Sequence, residues 1–262
     1  MSSYTKELDF AKNLAKQCAD IANKYYRQSH NTVEIKDDHS PVTLADKAIN
    51  SYIIEQVKKS FPEDGVLGEE ETWNISANRL WVCDPIDGTV AFIHHIPTFM
   101  VAIALVINGK VVVSATANPS TNDLYWAEIG EGAFRNNQQI HVSKKIWGPR
   151  VTLLGDHNPG LEPHGINIPV IAKELTSKGF YISNPFGGIF KGGLIAGGSV
   201  EGRIVGFRYP HDVAAVALLI TEAGGKVTDT NGNPQDFSKP LDGTILSNGL
   251  IHEDLINLYK RF

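Results

Sequence analysis

From Leu80 onward the chain carries three apolar runs, LWVC, FMVAIALVI and VVVSATA, the last two separated only by Asn108-Gly109-Lys110. Runs that are apolar at successive positions, without alternation, suit strands whose two faces are both covered. The Asn-Gly turn makes the second and third of them antiparallel neighbours. A buried meander covered on both faces is therefore expected, and Leu124–Glu128 and a segment turning at Asn136-Asn137 extend it.

Helices to cover that sheet are legible on either side. Leu8, Ala11, Ala15, Cys18 and Ala22 recur at helical spacing. Leu44, Ala45, Ala48, Ile49, Tyr52, Ile53 and Val57 mark a second helix, opened by Thr43 with Asp46 three residues on and closed near Ser60 before Pro62. Beyond residue 148 the pattern alternates. Strands are expected at 151–155, 180–183, 203–207, 226–229 and 244–247, with helices near 168–178, 190–198 and 213–223 and at the C-terminus. The reading is an α+β N-terminal half over 1–147 and an α/β half over 148–262 that completes the site. No long linker divides them, so a site at their interface is expected.

The net charge of −5 and pI near 6.0 give no sign of a basic footprint for nucleic acid, so no nucleic acid polymer is expected as a partner. The first residues, MSSYTKELDFAKNLAKQ, lack the apolar stretch of a signal peptide, and no segment has the apolar length to cross a bilayer, so a cytoplasmic location is expected. Two cysteines, Cys18 and Cys83, give neither a disulfide framework nor a thiolate metal pattern.

Chemistry concentrates in Leu80–Thr89, LWVCDPIDGT. Asp84 follows four apolar residues, where the backbone leaves the sheet, and Asp87 lies three residues on. Pro85 fixes one backbone angle and Gly88 permits a close approach. Such a turn can aim two carboxylates and the Ile86 carbonyl at one point, a set of hard oxygen donors suited to Mg²⁺ or Mn²⁺. The alternative is a turn whose Asp side chains bond their own backbone. Asp242-Gly243-Thr244 repeats the D-G-T triplet without a strand-ending acid before it. Further acids stand at Glu69, Glu70 and Glu71, which also read as a solvated loop. Asp212, read alone, is a helix N-cap, and Asp46 the acid of a capping box. His94-His95 lacks a third ligand, and Cys83 beside Asp84 is a poor nucleophile. GGIFKGG at 187–193 lacks the ending of a phosphate-binding P-loop.

GEE, then DPIDGT, then D-x-A-A with EAGG ten residues after the Asp, in that order from the S-P-V-T-x-A-D at 40–46 to Val227, resembles the inositol monophosphatase superfamily of magnesium-dependent, lithium-sensitive phosphomonoesterases. The resemblance implies a layered α-β-α-β-α sandwich, a homodimer, and two or three Mg²⁺ ions, with Mn²⁺ as a substitute. It implies that Glu69, Asp84 and the Ile86 carbonyl hold one ion, and Asp84, Asp87 and Asp212 a second. Gly88 and Thr89 would offer backbone N–H groups to the phosphate, with Asp87 and Asp212 beside it. Thr89, Asp46 and Glu69 would serve the attacking water. The expected substrate is a small-molecule phosphate monoester, inositol monophosphate or another polyol or metabolite phosphate. Histidinol phosphate and 3′-phosphoadenosine-type bisphosphates are the alternatives, as is a non-catalytic relative that binds metal and phosphate.

Four departures from the family pattern stand out, and two of them carry expectations of their own. Asn50 stands where relatives commonly carry Glu, which removes a negative charge near the metals, so Asn50→Glu is expected to tighten metal dependence. His211, after Pro210, replaces an aromatic residue, and GGIFKGG replaces a Gly-Ser/Thr-Ala-Ala stretch. Seven residues before Asp212, where inositol-selective members carry an acid, stands Val205. Inositol 1-phosphate is therefore expected to be at best one substrate among several, with Glu201 or Arg203 substituting only if the strand register shifts.

Overall fold

The computed structural model describes residues 3–26, 33–35, 41–155, 168–205 and 209–261. Helix α1 (Thr5–Tyr26) buries Leu8, Ala11, Ala15, Cys18 and Ala22 along one stripe, as their spacing predicts. Strands β1 (Val33–Ile35) and β2 (Pro41–Thr43) form a separate antiparallel pair. At its end Thr43 caps α2 (Leu44–Ser60), and the capping box with Asp46 is complete. Next come β3 (Gly65–Gly68), β4 (Thr72–Trp73), β5 (Arg79–Asp87), the short α3 (Thr89–Ile93), β6 (Met100–Ile107), β7 (Lys110–Asn118), β8 (Asp123–Glu128), β9 (Gly132–Arg135) and β10 (Gln138–Ile140).

These strands make one eight-stranded sheet in the order β10-β9-β8-β7-β6-β5-β3-β4. The meander from β5 to β10 is antiparallel throughout, while β3 joins β5 in parallel. Strands β3 and β4 carry no apolar run and were not legible. Side chains alternate as the pleat requires. Trp81 and Cys83 of β5, with Val101, Ile103 and Leu105 of β6, pack beneath α1 and α2. Leu80 and Val82, with Met100, Ala102, Ala104 and Val106, face the opposite way.

The second sheet is built from β11 (Thr152–Leu154), β12 (Tyr181–Ser183) after α4 (Ile168–Ser177), β13 (Gly202–Val205) after α5 (Gly188–Ala196), and then β14 (Lys226–Thr228) and β15 (Thr244–Ser247). Between β13 and β14 lie a 3₁₀ turn, Pro210–Asp212, and α6 (Ala214–Glu222); α7 (His252–Arg261) ends the described chain. The strand order is β12-β11-β13-β15-β14, parallel among the first three and antiparallel at β15. Of the strand expected over 203–207, residues 206 and 207 lie outside the described residues.

Helices α5 and α6 are buried between the two sheets, and α4 and α7 close the far side of the second. From α1 and α2 outward the layers run α-β-α-β-α. The middle layer is tight. A Cβ on Gly192 of α5 would lie 2.5 Å from the Val216 side chain of α6, so only glycine lets these helices meet at this distance. Glu222, the acid of EAGG, ties the layers together by accepting the Gly130 and Gly132 N–H groups, each at 2.9 Å.

Candidate active site

Strand β5 loses its register with β6 between Asp84 and Asp87, where Pro85 and Ile86 bulge out of the ladder. Asp84 continues the parity of Leu80 and Val82, so its carboxylate faces the middle helical layer rather than α1 and α2. It is buried, and its Oδ1 has no hydrogen-bond partner. Burial drives its pKa well above the carboxylate range, and the charges of Glu69, Asp87, Asp212 and Asp46 push it the same way. These are the five acids that the sequence singled out for the site, gathered from the residue after β3, from α2, from β5 and from the 3₁₀ turn. Among the described residues, however, no three His, Cys, Asp or Glu groups already close around a point as a metal cage.

Asp87 shows why. Its Oδ1 accepts the Gly188 N–H and its Oδ2 the Ile189 N–H, both at 2.8 Å, so it caps the first turn of α5 from a strand of the other sheet. Burial raises its pKa to about 6, against the pull of these two bonds and of the Arg203 and Lys191 charges. The approach depends on glycine at both ends. Gly88 has φ +85°, and a Cβ there would lie 3.1 Å from the Gly187 Cα; one on Gly187 would strike the Thr98 carbonyl. GGIFKGG is thus the backbone surface against which Asp87 is seated. Lys191, also in that stretch, is buried and donates to the Gly155 carbonyl at 2.8 Å and to Asn184 Oδ1 at 2.6 Å.

Gly88 is the left-handed residue before α3, and Thr89 is the first of its helix. The Thr89 hydroxyl donates to the Ile86 carbonyl at 3.3 Å, tying the two. Asp46 spends one oxygen locally: Oδ2 accepts the Thr43 N–H at 2.8 Å and the Thr43 hydroxyl at 2.6 Å. Its Oδ1 is buried without a partner. Burial lifts the Asp46 pKa to about 7, with Glu69 and Glu70 adding to the rise while the Thr43 bonds oppose it. The capping role and a free oxygen coexist in one side chain.

Glu69 extends the β3–β5 pairing through its N–H to the Cys83 carbonyl, 3.2 Å. Asn50 holds the acidic loop behind it. The fully buried Asn50 amide donates to the Glu71 carbonyl at 3.0 Å and accepts the Glu70 N–H at 3.3 Å. Gly68 packs directly on it, since a Cβ there would overlap Asn50 Oδ1. Asn50 thus has a role that the missing charge did not disclose. It is the clamp of the loop, and an ionised Glu could not donate to the Glu71 carbonyl.

Asp212 does not cap α6. It closes the 3₁₀ turn, which packs on β5, and the cap position of α6 is Val213, with no side-chain cap bond. His211 stacks on Tyr209, rings 5.3 Å apart and 6° from parallel. The substitutes weighed for an acid at Val205 are engaged elsewhere. Glu201 is buried, accepting the Thr152 N–H at 2.6 Å and pairing with Lys145 at 3.2 Å. Arg203 donates to the Gly188 carbonyl at 2.7 Å. Asp242 is exposed at the entrance to β15, His94 and His95 are exposed after α3, and burial pushes the Cys83 thiol far up.

Residues 3–261 of the sequence match the Inositol monophosphatase family, and the protein belongs to it. Its enzyme class is that of the phosphoric monoester hydrolases. It is 28% identical over 260 residues to a fructose-1,6-bisphosphatase/inositol-1-monophosphatase of Thermotoga maritima, covering 96% of this chain and 94% of that one. A histidinol-phosphatase of Chlorobaculum parvum is 31% identical over 253 residues, 96% of each chain. The solved structure of a Thermotoga maritima IMPase superimposes with a TM-score of 0.87 at 27% identity, covering 98% of both chains. That agreement extends to the layered arrangement described above. Among the described residues no helix is long and apolar enough to cross a membrane.

Proposed function

We propose that this enzyme hydrolyses a small-molecule phosphate monoester with the help of Mg²⁺ held by Glu69, Asp84, the Ile86 carbonyl, Asp87 and Asp212. The observation that carries the reading is Asp84 Oδ1, a buried carboxylate oxygen with no partner, ringed by the charges of four further acids. Such a cluster is costly unless a cation offsets it. Its donors are all oxygen, which favours Mg²⁺ or Mn²⁺ over zinc. The ions would supply the positive charge that admits a dianionic phosphate, and as Lewis acids they would acidify water and stabilise the departing oxygen.

The chain's own part is to place and exclude. Asp87, seated on the α5 amides, holds a fixed orientation at the meeting of the two sheets. Gly88 and Thr89 would turn their N–H groups to the phosphate. Thr89, through its bond to the Ile86 carbonyl, would help orient the attacking water, and the unpartnered Oδ1 of an ionised Asp46 would take up its proton.

On substrate, a hydrophobic Val205 in place of an acid, with Glu201 and Arg203 both engaged in the interior, supports breadth over selectivity for inositol. The relatives point the same way, one acting on fructose 1,6-bisphosphate and inositol 1-phosphate by its name, the other on histidinol phosphate. The test is phosphate release from inositol 1-phosphate, fructose 1,6-bisphosphate, histidinol phosphate and 3′-phosphoadenosine 5′-phosphate, with Mg²⁺ and with EDTA. Turnover in Mg²⁺ and none in EDTA is expected. Full turnover in EDTA overturns the metal role, and a preference for inositol 1-phosphate of a hundredfold or more, about 2.7 kcal/mol, overturns the reading of the pocket. Light scattering checks the expected homodimer.

A further inference from the structure

Arg203 is placed where a charged residue is expensive. It sits within β13, in register with Leu154 on one side and Leu246 on the other, and only 1% of its surface is exposed. Taking a guanidinium out of water costs several kcal/mol, on the order of what a whole ion pair returns.

Its Nη1 donates to the Gly188 carbonyl at 2.7 Å, and the N–H of that same residue is held by Asp87 at 2.8 Å. A Cβ on Gly188 would lie 3.1 Å from Arg203 Nη2 and 3.1 Å from Asp87 Oδ1, so guanidinium, glycine and carboxylate are packed in direct succession. No side chain of its own cap residue holds the start of α5; that residue is Gly187, at φ +85° and ψ 115°. A glycine pair at a helix start is conformationally loose. Here it is gripped from two sides, by an acid of the first sheet and a base of the second.

We propose that Arg203 is a positioning residue: by holding the Gly188 carbonyl it fixes the first turn of α5, and through the Gly188 and Ile189 amides it fixes the plane of the Asp87 carboxylate. Arg203 then sets how tightly the site takes up its cation without touching cation or substrate. This consequence for activity rests on the metal-dependent phosphatase reading. The consequence for α5 does not.

The experiment pairs Arg203→Met, which keeps the length and apolar stem, with Arg203→Lys, which restores one donor and the charge. Amide hydrogen exchange is measured in EDTA by NMR on the full chain. In Arg203→Met the Gly188 and Ile189 amides are expected to exchange at least tenfold faster, while the amides of β11 and β15 beside position 203 keep wild-type rates. Arg203→Lys recovers part of the protection. The Mg²⁺ concentration for half-maximal phosphate release rises at least tenfold in Arg203→Met, with kcat at saturating Mg²⁺ within threefold of wild type. Wild-type exchange at Gly188 and Ile189, or a faster exchange shared equally by β11 and β15, overturns the proposal. So does a kcat loss with unchanged Mg²⁺ dependence, which is the mark of a residue that only maintains the fold. Should Arg203→Met not fold, Arg203→Lys decides alone: selective intermediate exchange at the two amides supports the role, and uniform change overturns it. If wild type releases no phosphate from any substrate, the phosphatase reading fails and the exchange result still judges Arg203.

Discussion

Asp46 gives the metal-free protein a pH dependence whose sign and size follow from the site. Its folded pKa is raised from 3.8 to about 7, chiefly by burial. A raised acid contributes stability that is fully present below its unfolded pKa and is lost as pH climbs through the folded one. Between pH 5 and pH 7 the unfolded chain has given up the proton and the folded chain still keeps it. At about 1.36 kcal/mol per pH unit, and with the folded group half ionised at pH 7, between about 2 and 3 kcal/mol of stability disappears over that range. Above pH 7 the loss levels off. His252 works in the other direction. It is buried, its Nε2 bonded to the Thr228 hydroxyl and its Nδ1 to the Ser247 hydroxyl, both at 2.8 Å, and burial pushes its pKa down to about 4, so its contribution is lost as pH falls below 6.5. The two must be separated by a variant. Asp46→Asn keeps an acceptor for Thr43 but cannot titrate, and it leaves His252 untouched. Urea unfolding of both proteins in EDTA from pH 5 to pH 8 then isolates the Asp46 share. Wild type should lose about 3 kcal/mol relative to Asp46→Asn, and saturating Mg²⁺ should remove most of that loss. A difference that stays level or moves in favour of wild type with rising pH refutes the burial argument.

Asp84→Asn should lower turnover by about a thousandfold or more, because it removes the carboxylate common to both proposed ion sites; half the wild-type rate at saturating Mg²⁺ would reduce Asp84 to a turn residue. Asn50→Glu loses the donor to the Glu71 carbonyl and forces bulk and charge against Gly68. It should cost about 2–4 kcal/mol in urea unfolding and raise the half-saturating Mg²⁺ concentration, and a lowered one would contradict the clamp. Asp242→Asn, at an exposed turn, should leave phosphate release within a fewfold of wild type, and inactivation of a folded variant would mean that the wrong D-G-T was chosen.

What the sequence disclosed and what it withheld divide along sequence distance. The meander was legible because strands covered on both faces leave unbroken apolar runs, and because Asn108-Gly109 forces neighbours to pair. The Thr43–Asp46 box spans three residues and was visible locally, whereas the turn expected at Asp84 is a bulge within a strand that runs on to Asp87. Strand β3 was missed because its GVLG is short, half glycine, and pairs in parallel with a strand it does not adjoin by any turn. The same limit hid half of the site. Asp87 was picked out as an acid, yet its seat on Gly188 and Ile189 lies more than a hundred residues on, in a stretch whose motif value is its lack of side chains. Asn50 was noticed only as a missing charge, because its two backbone partners lie twenty residues away. Read by residue type alone, Arg203 was a candidate substrate contact and Glu222 a motif letter, whereas both are ties between layers. The acids of a site like this can be listed from local pattern, since a cation needs oxygen donors whatever lies behind them. The parts that aim those acids are backbone groups and buried side chains from the other sheet, and no local pattern distinguishes them from ordinary core.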